Sequence, residues 1–284
     1  MSVAFTIEMG PERVIRGDFY PAKELPRGTV IICHGFKGFK DWGMFPYVAR
    51  TLADRWDTVI FNFSHNGVGA AKDEFDELEK FAHNTYSREL EDLGTVVRKV
   101  TSRTLVPEAA NAHGAPVYLL GHSRGGGVCL IYAMDHPDQV SGVISWNGIA
   151  NVDLFTDEQK EEMRRLGRTY VHNARTGQRM PLDKEILEDM ERHRERFDIV
   201  GRIGKARIPI ALVQGSQDFE HLRQGSERLL AQNPSIERII IPGGDHTFGA
   251  RHPFSGTTEA LENAIAATRN ILDQWSQRWF VKTK

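Results

Sequence analysis

The pentapeptide Gly121-His122-Ser123-Arg124-Gly125 holds a serine between two glycines at the spacing that suits nucleophilic catalysis. It follows an apolar run at 116–120 and precedes a helix-competent run at 126–134, so the serine is expected on a strand-to-helix turn. Such a sharp turn strains the serine backbone and crowds the positions two residues either side, which is why glycine stands at both. A helix beginning at Arg124 also aims N–H groups and its positive dipole end at an oxyanion forming beside Ser123.

A serine hydroxyl is a weak nucleophile at neutral pH and needs a base, and the base needs an orienting group. His246, in Gly243-Gly244-Asp245-His246-Thr247-Phe248-Gly249, is the expected base, because this loop follows the last strand-like run and can carry an imidazole over the strand ends. His252 is the fallback. Asp218 closes Gln214-Gly215-Ser216-Gln217-Asp218, a turn directly after the run at 209–213, and completes the chain order Ser, Asp, His. Glu220 is the alternative acid, and Asp245 stands too close in sequence to His246 to bond its ring. The loop His34-Gly35-Phe36-Lys37-Gly38 follows the third strand-like run, so the N–H groups of Phe36 and Arg124 are the expected oxyanion donors. His34, His65 and His122 have no H-E-x-x-H pattern or cysteine cluster around them, so they are read as packing and loop-bonding residues, with no metal and no cofactor.

These residues need a scaffold, and the rest of the chain has the rhythm of one. Runs at 3–9 and 13–20 around Gly10-Pro11-Glu12 read as an opening hairpin. The continuous apolar run at 29–33 reads as a strand buried on both faces, 58–63 is the next such strand, and the runs at 116–120, 142–146, 209–213 and 238–241 continue the sheet. Helical spacing at 46–55 and 87–102, with a final helix from about 258, places helices between and after them. The expected fold class is therefore α/β: a mostly parallel central sheet with helices on both faces. Residues 151–206 break the alternation, being rich in Glu, Arg and Lys, helical in propensity and without a strand-like apolar run. They are read as a helical lid inserted between the core segments 1–150 and 207–284.

The 284 residues are 40% hydrophobic and 26% charged, with a formal net charge of -2, as in an ordinary soluble globular chain. That balance offers no broad cationic surface for nucleic acid. The N-terminus has no signal-peptide pattern and no apolar run is long enough to span a bilayer, so a cytoplasmic location without a membrane partner is expected. Cys33 and Cys129 lie in apolar stretches and read as buried free thiols. Nothing decides for or against a homo-oligomer.

With these motifs assembled, the chain resembles the α/β-hydrolase superfamily from about Gly28 to its end. The His-Gly-Phe-x-Gly loop, the Gly-x-Ser-x-Gly elbow, Gly-x-x-Asp and Asp-His-x-Phe look like the cinnamoyl or feruloyl esterase and dienelactone hydrolase-related branches. The resemblance implies Ser123, Asp218 and His246 as a triad, Phe36 and Arg124 as oxyanion-hole residues, and a covering insertion at 151–206. Dienelactone hydrolases proper use a cysteine nucleophile, whereas this chain has Ser123, and dehalogenases and epoxide hydrolases use an aspartate there. Arg164, Arg165, Arg168, Arg175 and Arg179 in the insertion argue against a purely aromatic acyl pocket. The expected activity is hydrolysis of a small-molecule carboxylic ester through an acyl-enzyme. Peptidase or thioesterase chemistry on the same triad, or ligand binding without turnover, are the alternatives.

Overall fold

Strands form where apolar residues run without interruption, and helices where they recur every three or four positions. The computed structural model describes residues 1–71, 74–106 and 115–282. The first half contains β1 (Val3–Glu8), β2 (Val14–Tyr20), β3 (Thr29–Cys33), α1 (Phe45–Leu52), β4 (Asp57–Asn62), α2 (Leu78–Ala82), α3 (Tyr86–Thr101), β5 (Val117–His122), α4 (Arg124–Asp135) and β6 (Gly142–Trp146). Then follow α5 (Asp157–Leu166), β7 (Arg168–His172), β8 (Arg179–Asp183), α6 (Glu185–Arg192), α7 (Arg194–Phe197), α8 (Ile199–Ile203), β9 (Ile210–Gly215), α9 (Glu220–Gln232), β10 (Glu237–Ile241) and α10 (Glu259–Lys282). The strands expected from apolar runs form within two residues of their expected positions.

Eight strands make one sheet in the order β1-β2-β4-β3-β5-β6-β9-β10. The β1–β2 and β2–β4 pairs are antiparallel, and the pairs from β4 through β3, β5, β6 and β9 to β10 are parallel. β3, β5 and β6 are buried along their whole length, which explains why their sequences are apolar throughout rather than alternating.

Alternation survives in where each side chain goes. Ile31, Cys33, Val117, Leu119 and Val143 enter the apolar layer shared with α3 and α4. Val30, Ile32, Tyr118, Leu120 and Ile144 enter the opposite layer, shared with α1 and α10. Each fully buried aliphatic side chain in these layers contributes about 1.5–3 kcal/mol relative to exposure. The helices between them are ended by local chemistry: Thr85 caps α3 by accepting from Arg88 N–H, and Arg98 and Lys99 face the negative end of its dipole.

The segment between β6 and β9, expected to be mostly helical and without strands, contains two of them. α5 opens with a capping box of Thr156 and Gln159 and closes on Gly167 at φ 83°. β7 and β8 then pair as an antiparallel hairpin. Its strands are hidden in sequence because they are only five residues long, begin or end on charged residues (Arg168, Arg179, Asp183), and include Pro181. Met163, Met180, Leu182 and Ile186 join the same apolar layer as α4, so the inserted elements are packed onto the sheet rather than solvated. Cys33 and Cys129 are buried free thiols. Among the described residues no helix is long and apolar enough to cross a membrane.

Candidate active site

Ser123 stands between β5 and α4 with φ 54° and ψ -120°, a conformation that side-chain-bearing residues rarely adopt. Around it the backbone is locked: Ser123 N–H donates to Trp146 O at 2.9 Å, and Ser123 O accepts from Gly126 N–H at 3.0 Å and Ile149 N–H at 3.1 Å. A Cβ at Gly121 would collide with the Gly125 carbonyl, and one at Gly125 with the carbonyl oxygens of Cys33 and His34. The two glycines are therefore a packing requirement of the turn, as its sequence implied.

His246 lies in the turn after β10. Its Nε2 accepts from Ser123 Oγ at 3.1 Å and its Nδ1 donates to Asp218 Oδ1 at 2.8 Å. Asp218 is buried at 4% exposure, and its oxygens also accept from Phe219 N–H and Gln214 Nε2, both at 2.8 Å. The structure thus brings together the serine, histidine and aspartate that the sequence singled out. It leaves the alternatives apart: Glu220 is exposed and accepts from Gln224, while His252 Nδ1 accepts from Gly43 N–H. Asp245 accepts from the Thr247 and Gly249 amides, closing the turn that presents His246.

Three residues hold this constellation: His122, read from the sequence as a packing or loop-bonding residue, and Asn147 and Gln214, which that reading left without a role. His122 Nε2 donates to the carbonyl of His246 at 2.7 Å, and Asn147 Nδ2 donates to the same oxygen at 3.0 Å. Gln214 Nε2 bridges Asn147 Oδ1 at 2.9 Å and Asp218 Oδ2, tying the ends of β6 and β9 together. Their one sequence signal is polarity at the C-terminal ends of buried parallel strands, where a polar side chain has to find a partner.

Burial lowers His122 to about 3, with the neighbouring His246 adding to the effect, and lowers His34 to about 4. Both rings are therefore neutral at physiological pH. His34 donates from Nδ1 to Gly35 O and accepts at Nε2 from Phe63 N–H, so it serves as a strut beneath the loop after β3. His65 Nδ1 bonds Ser64 Oγ at 3.0 Å.

The N–H groups of Phe36 and Arg124 donate to no protein acceptor among the described residues. Arg124 is the first residue of α4, where the backbone N–H has no partner within the helix. The residue is 1% exposed. Nε donates to Glu89 Oε2 at 2.8 Å, and the guanidinium lies 3.8 Å over the Tyr86 ring and 5.7 Å from the centre of the Phe36 ring. Asn84 Nδ2 completes the cluster by donating to Glu89 Oε1. Burial pushes the Glu89 carboxyl up despite this pairing.

Beside Ser123 and His246 opens a cavity of about 300 Å³ whose walls include Phe36, Trp42 and Phe45. Asn173, Ala174 and Arg175, from the turn joining β7 to β8, close one side. The arrangement can deliver a hydroxyl nucleophile, a base aligned by a buried carboxylate, and two free amides to one carbonyl group.

Comparison with known proteins gives a consistent picture. The sequence profile of a family described as alpha/beta hydrolase fold matches residues 28–169, half of the chain. A monoglyceride lipase from Saccharomyces cerevisiae is 30% identical, with the match covering 88% of this chain and 84% of that protein. A monoacylglycerol lipase from Mycolicibacterium smegmatis is 29% identical over 48% of this chain and 42% of its own length. The chain spans about half the length of the first curated relatives it matches. Among solved structures, Est1E from Butyrivibrio proteoclasticus with ferulic acid bound superposes with a TM-score of 0.70 at 19% identity, covering 96% of this chain and 99% of that one.

Proposed function

The chain belongs to the alpha/beta hydrolase fold family, and from that premise we propose that it is a serine hydrolase cleaving carboxylic esters of small molecules. The observation that carries this reading is the continuous relay from Ser123 Oγ to His246 at 3.1 Å and from His246 to Asp218 at 2.8 Å. The monoglyceride and monoacylglycerol lipases among the relatives support an ester as the bond cleaved.

In this mechanism His246 Nε2 takes the Ser123 proton as Oγ attacks the ester carbonyl. The N–H groups of Phe36 and Arg124 receive the oxyanion, and Asp218 stabilises the imidazolium and holds its tautomer. His246 then gives the proton to the departing alkoxide, leaving an acyl group on Ser123. A water molecule repeats the attack with His246 as base, releasing the acid and restoring the serine. Residues 1–150 and 207–284 act as the catalytic core, and residues 151–206 act as the lid, a role supported by Asn173, Ala174 and Arg175 lining the cavity.

The test is labelling by a fluorophosphonate together with hydrolysis of 4-nitrophenyl acetate. Ser123→Ala is expected to abolish labelling and lower kcat by about 10⁴-fold or more, with an unchanged circular dichroism spectrum. Labelling or turnover that persists in the variant overturns the reading. Labelling without turnover of any ester redirects it toward amide or thioester substrates.

A further inference from the structure

Two rings lean on the imidazole of His246, and they stand on different ground. His122, 4.9 Å away between ring centroids, lines the cavity beside Ser123. Phe219, 5.1 Å away with its plane tilted by 47°, is not part of that lining, so it meets His246 from outside the cavity. Phe219 is also 58% exposed, an apolar ring left in water against the base of the relay. Burial stabilises such a ring, and a bound molecule that covers it recovers that stabilisation.

The exposed ring stands on a fixed support. Phe219 N–H donates to Asp218 Oδ1 at 2.8 Å, the same oxygen that accepts from His246 Nδ1. The Phe219 carbonyl accepts from Leu222 N–H at 3.0 Å and Arg223 N–H at 3.1 Å, which opens α9, and the buried Leu222 anchors that first turn in the apolar layer. His221, itself exposed, stacks on Phe219 with centroids 5.8 Å apart and planes within 17°. The pair is an aromatic surface tied to the acid of the triad, and its backbone needs no further ordering when a ligand arrives.

The chemistry of ester cleavage gives the two surfaces different partners. His246 Nε2 has to hand its proton to the departing alkoxide, so the alcohol oxygen comes within about 3 Å of that atom. The carbons attached to that oxygen therefore leave along the His246 side of the reacting centre, where Phe219 and His221 stand. The carbonyl oxygen goes instead to the amide of Phe36, in the loop from Gly35 to Gly38 that walls the cavity of about 300 Å³. The acyl carbons then enter among Phe36, Trp42 and Phe45.

We propose that Phe219 determines which alcohols the enzyme accepts: the alcohol portion of the ester lies on the exposed face of Phe219 beside His221, while the acyl portion occupies the cavity. This inference rests on the ester-hydrolase reading of Ser123 given above. The preferred substrate is an ester whose alcohol carries a flat apolar group on the carbon next to oxygen, as in an arylmethyl ester, because such a group stacks on a phenylalanine ring and removes it from water.

The experiment follows proton release from three esters: ethyl acetate, benzyl acetate, which enlarges the alcohol alone, and ethyl hexanoate, which enlarges the acyl chain alone. Two ratios of kcat/KM are read within each protein, benzyl to ethyl and hexanoyl to acetyl, so that any effect of a substitution on His246 itself cancels. Wild type is expected to favour benzyl over ethyl acetate by about ten-fold, in keeping with an aromatic pair formed on binding. In Phe219→Ala the benzyl ratio is expected to drop several-fold while the hexanoyl ratio stays within about two-fold of wild type, and Phe219→Tyr is expected to retain both. Trp42→Ala is expected to do the reverse, lowering the hexanoyl ratio and sparing the benzyl one. A benzyl ratio unchanged in Phe219→Ala, or a fall in its hexanoyl ratio instead, overturns the inference, and turnover of ethyl acetate then leaves the hydrolase reading standing. Absence of turnover on all three esters also overturns the inference, and absence of fluorophosphonate labelling besides overturns the hydrolase reading beneath it.

Discussion

His122 Nε2 donates to the backbone carbonyl of His246 across 2.7 Å, so the residue preceding the serine holds the loop that carries its base. The two rings lie 4.9 Å apart between centroids. Asn147 shares the acceptor, which makes the support two-legged. His122→Ala removes one leg, and kcat for 4-nitrophenyl acetate is expected to fall about ten-fold with KM little changed, as misplacement of a base does. The acid limb of the pH profile is expected to stay where it is, since His122 at about 3 is already neutral there. A shift of that limb, or a change confined to KM, would count against a positioning role.

Asp218 accepts from His246 Nδ1 while its other oxygen accepts from Gln214. Asp218→Asn keeps the shape but offers an amide that cannot stabilise the imidazolium or enforce its tautomer. A loss of about 10³-fold or more in kcat is expected, with the fold retained. A loss below ten-fold would remove Asp218 from the relay.

Glu89 and Arg124 form an ion pair with side chains 4% and 2% exposed. Glu89→Ala leaves the guanidinium buried with the Tyr86 ring and the Asn84 carbonyl but no counter-charge. Urea denaturation is expected to show a loss of about 3–5 kcal/mol, the cost of an uncompensated buried charge. Glu89→Gln keeps an acceptor and is expected to lose less. Equal stability of wild type and Glu89→Ala would mean the pair is not part of the folded core.

Burial lowers His34 to about 4, His65 to about 4 and His122 to about 3, against about 6.5 for an unfolded histidine. Between about pH 6.5 and 4 the unfolded chain therefore binds more protons, and stability falls as pH falls through that window. Glu89 and Asp92, raised by burial, act in the opposite sense at the acid end, so the histidine share is best read by difference. His65→Gln is expected to lessen the loss of unfolding free energy between pH 6.5 and 4.5 by about 2 kcal/mol. Identical pH dependence in the two proteins would rule out this linkage.

Much of the scaffold was legible because it is written in local periodicity. β3 and β5 are apolar at nearly every position, as strands covered on both faces must be, and α3 shows its buried stripe and its Thr85 cap. The elbow was legible for a steric reason: only glycine fits at 121 and 125 when a helix leaves a strand this abruptly. The β7–β8 hairpin was not legible, because Met180 and Leu182 bury only against partners far away in sequence, and Arg168, Tyr170 and Arg179 mask them.

By itself, then, the sequence determined which residues had the chemistry to act and the order of elements that could carry them. Tertiary structure decided which of those residues meet. Asp218 rather than Glu220 reaches His246 because β9 and β10 run parallel in adjacent register, Ile241 opposite Gly215, so the turns that follow them lie side by side. Arg124 finds Glu89 because α4 packs beside α3, and Lys37 meets the carbonyl of His172 because a hairpin from elsewhere in the chain folds over the strand ends. Secondary structure is set by neighbours along the chain and can be read there, whereas a site is set by neighbours across it, and those exist only once the sheet has closed its apolar faces.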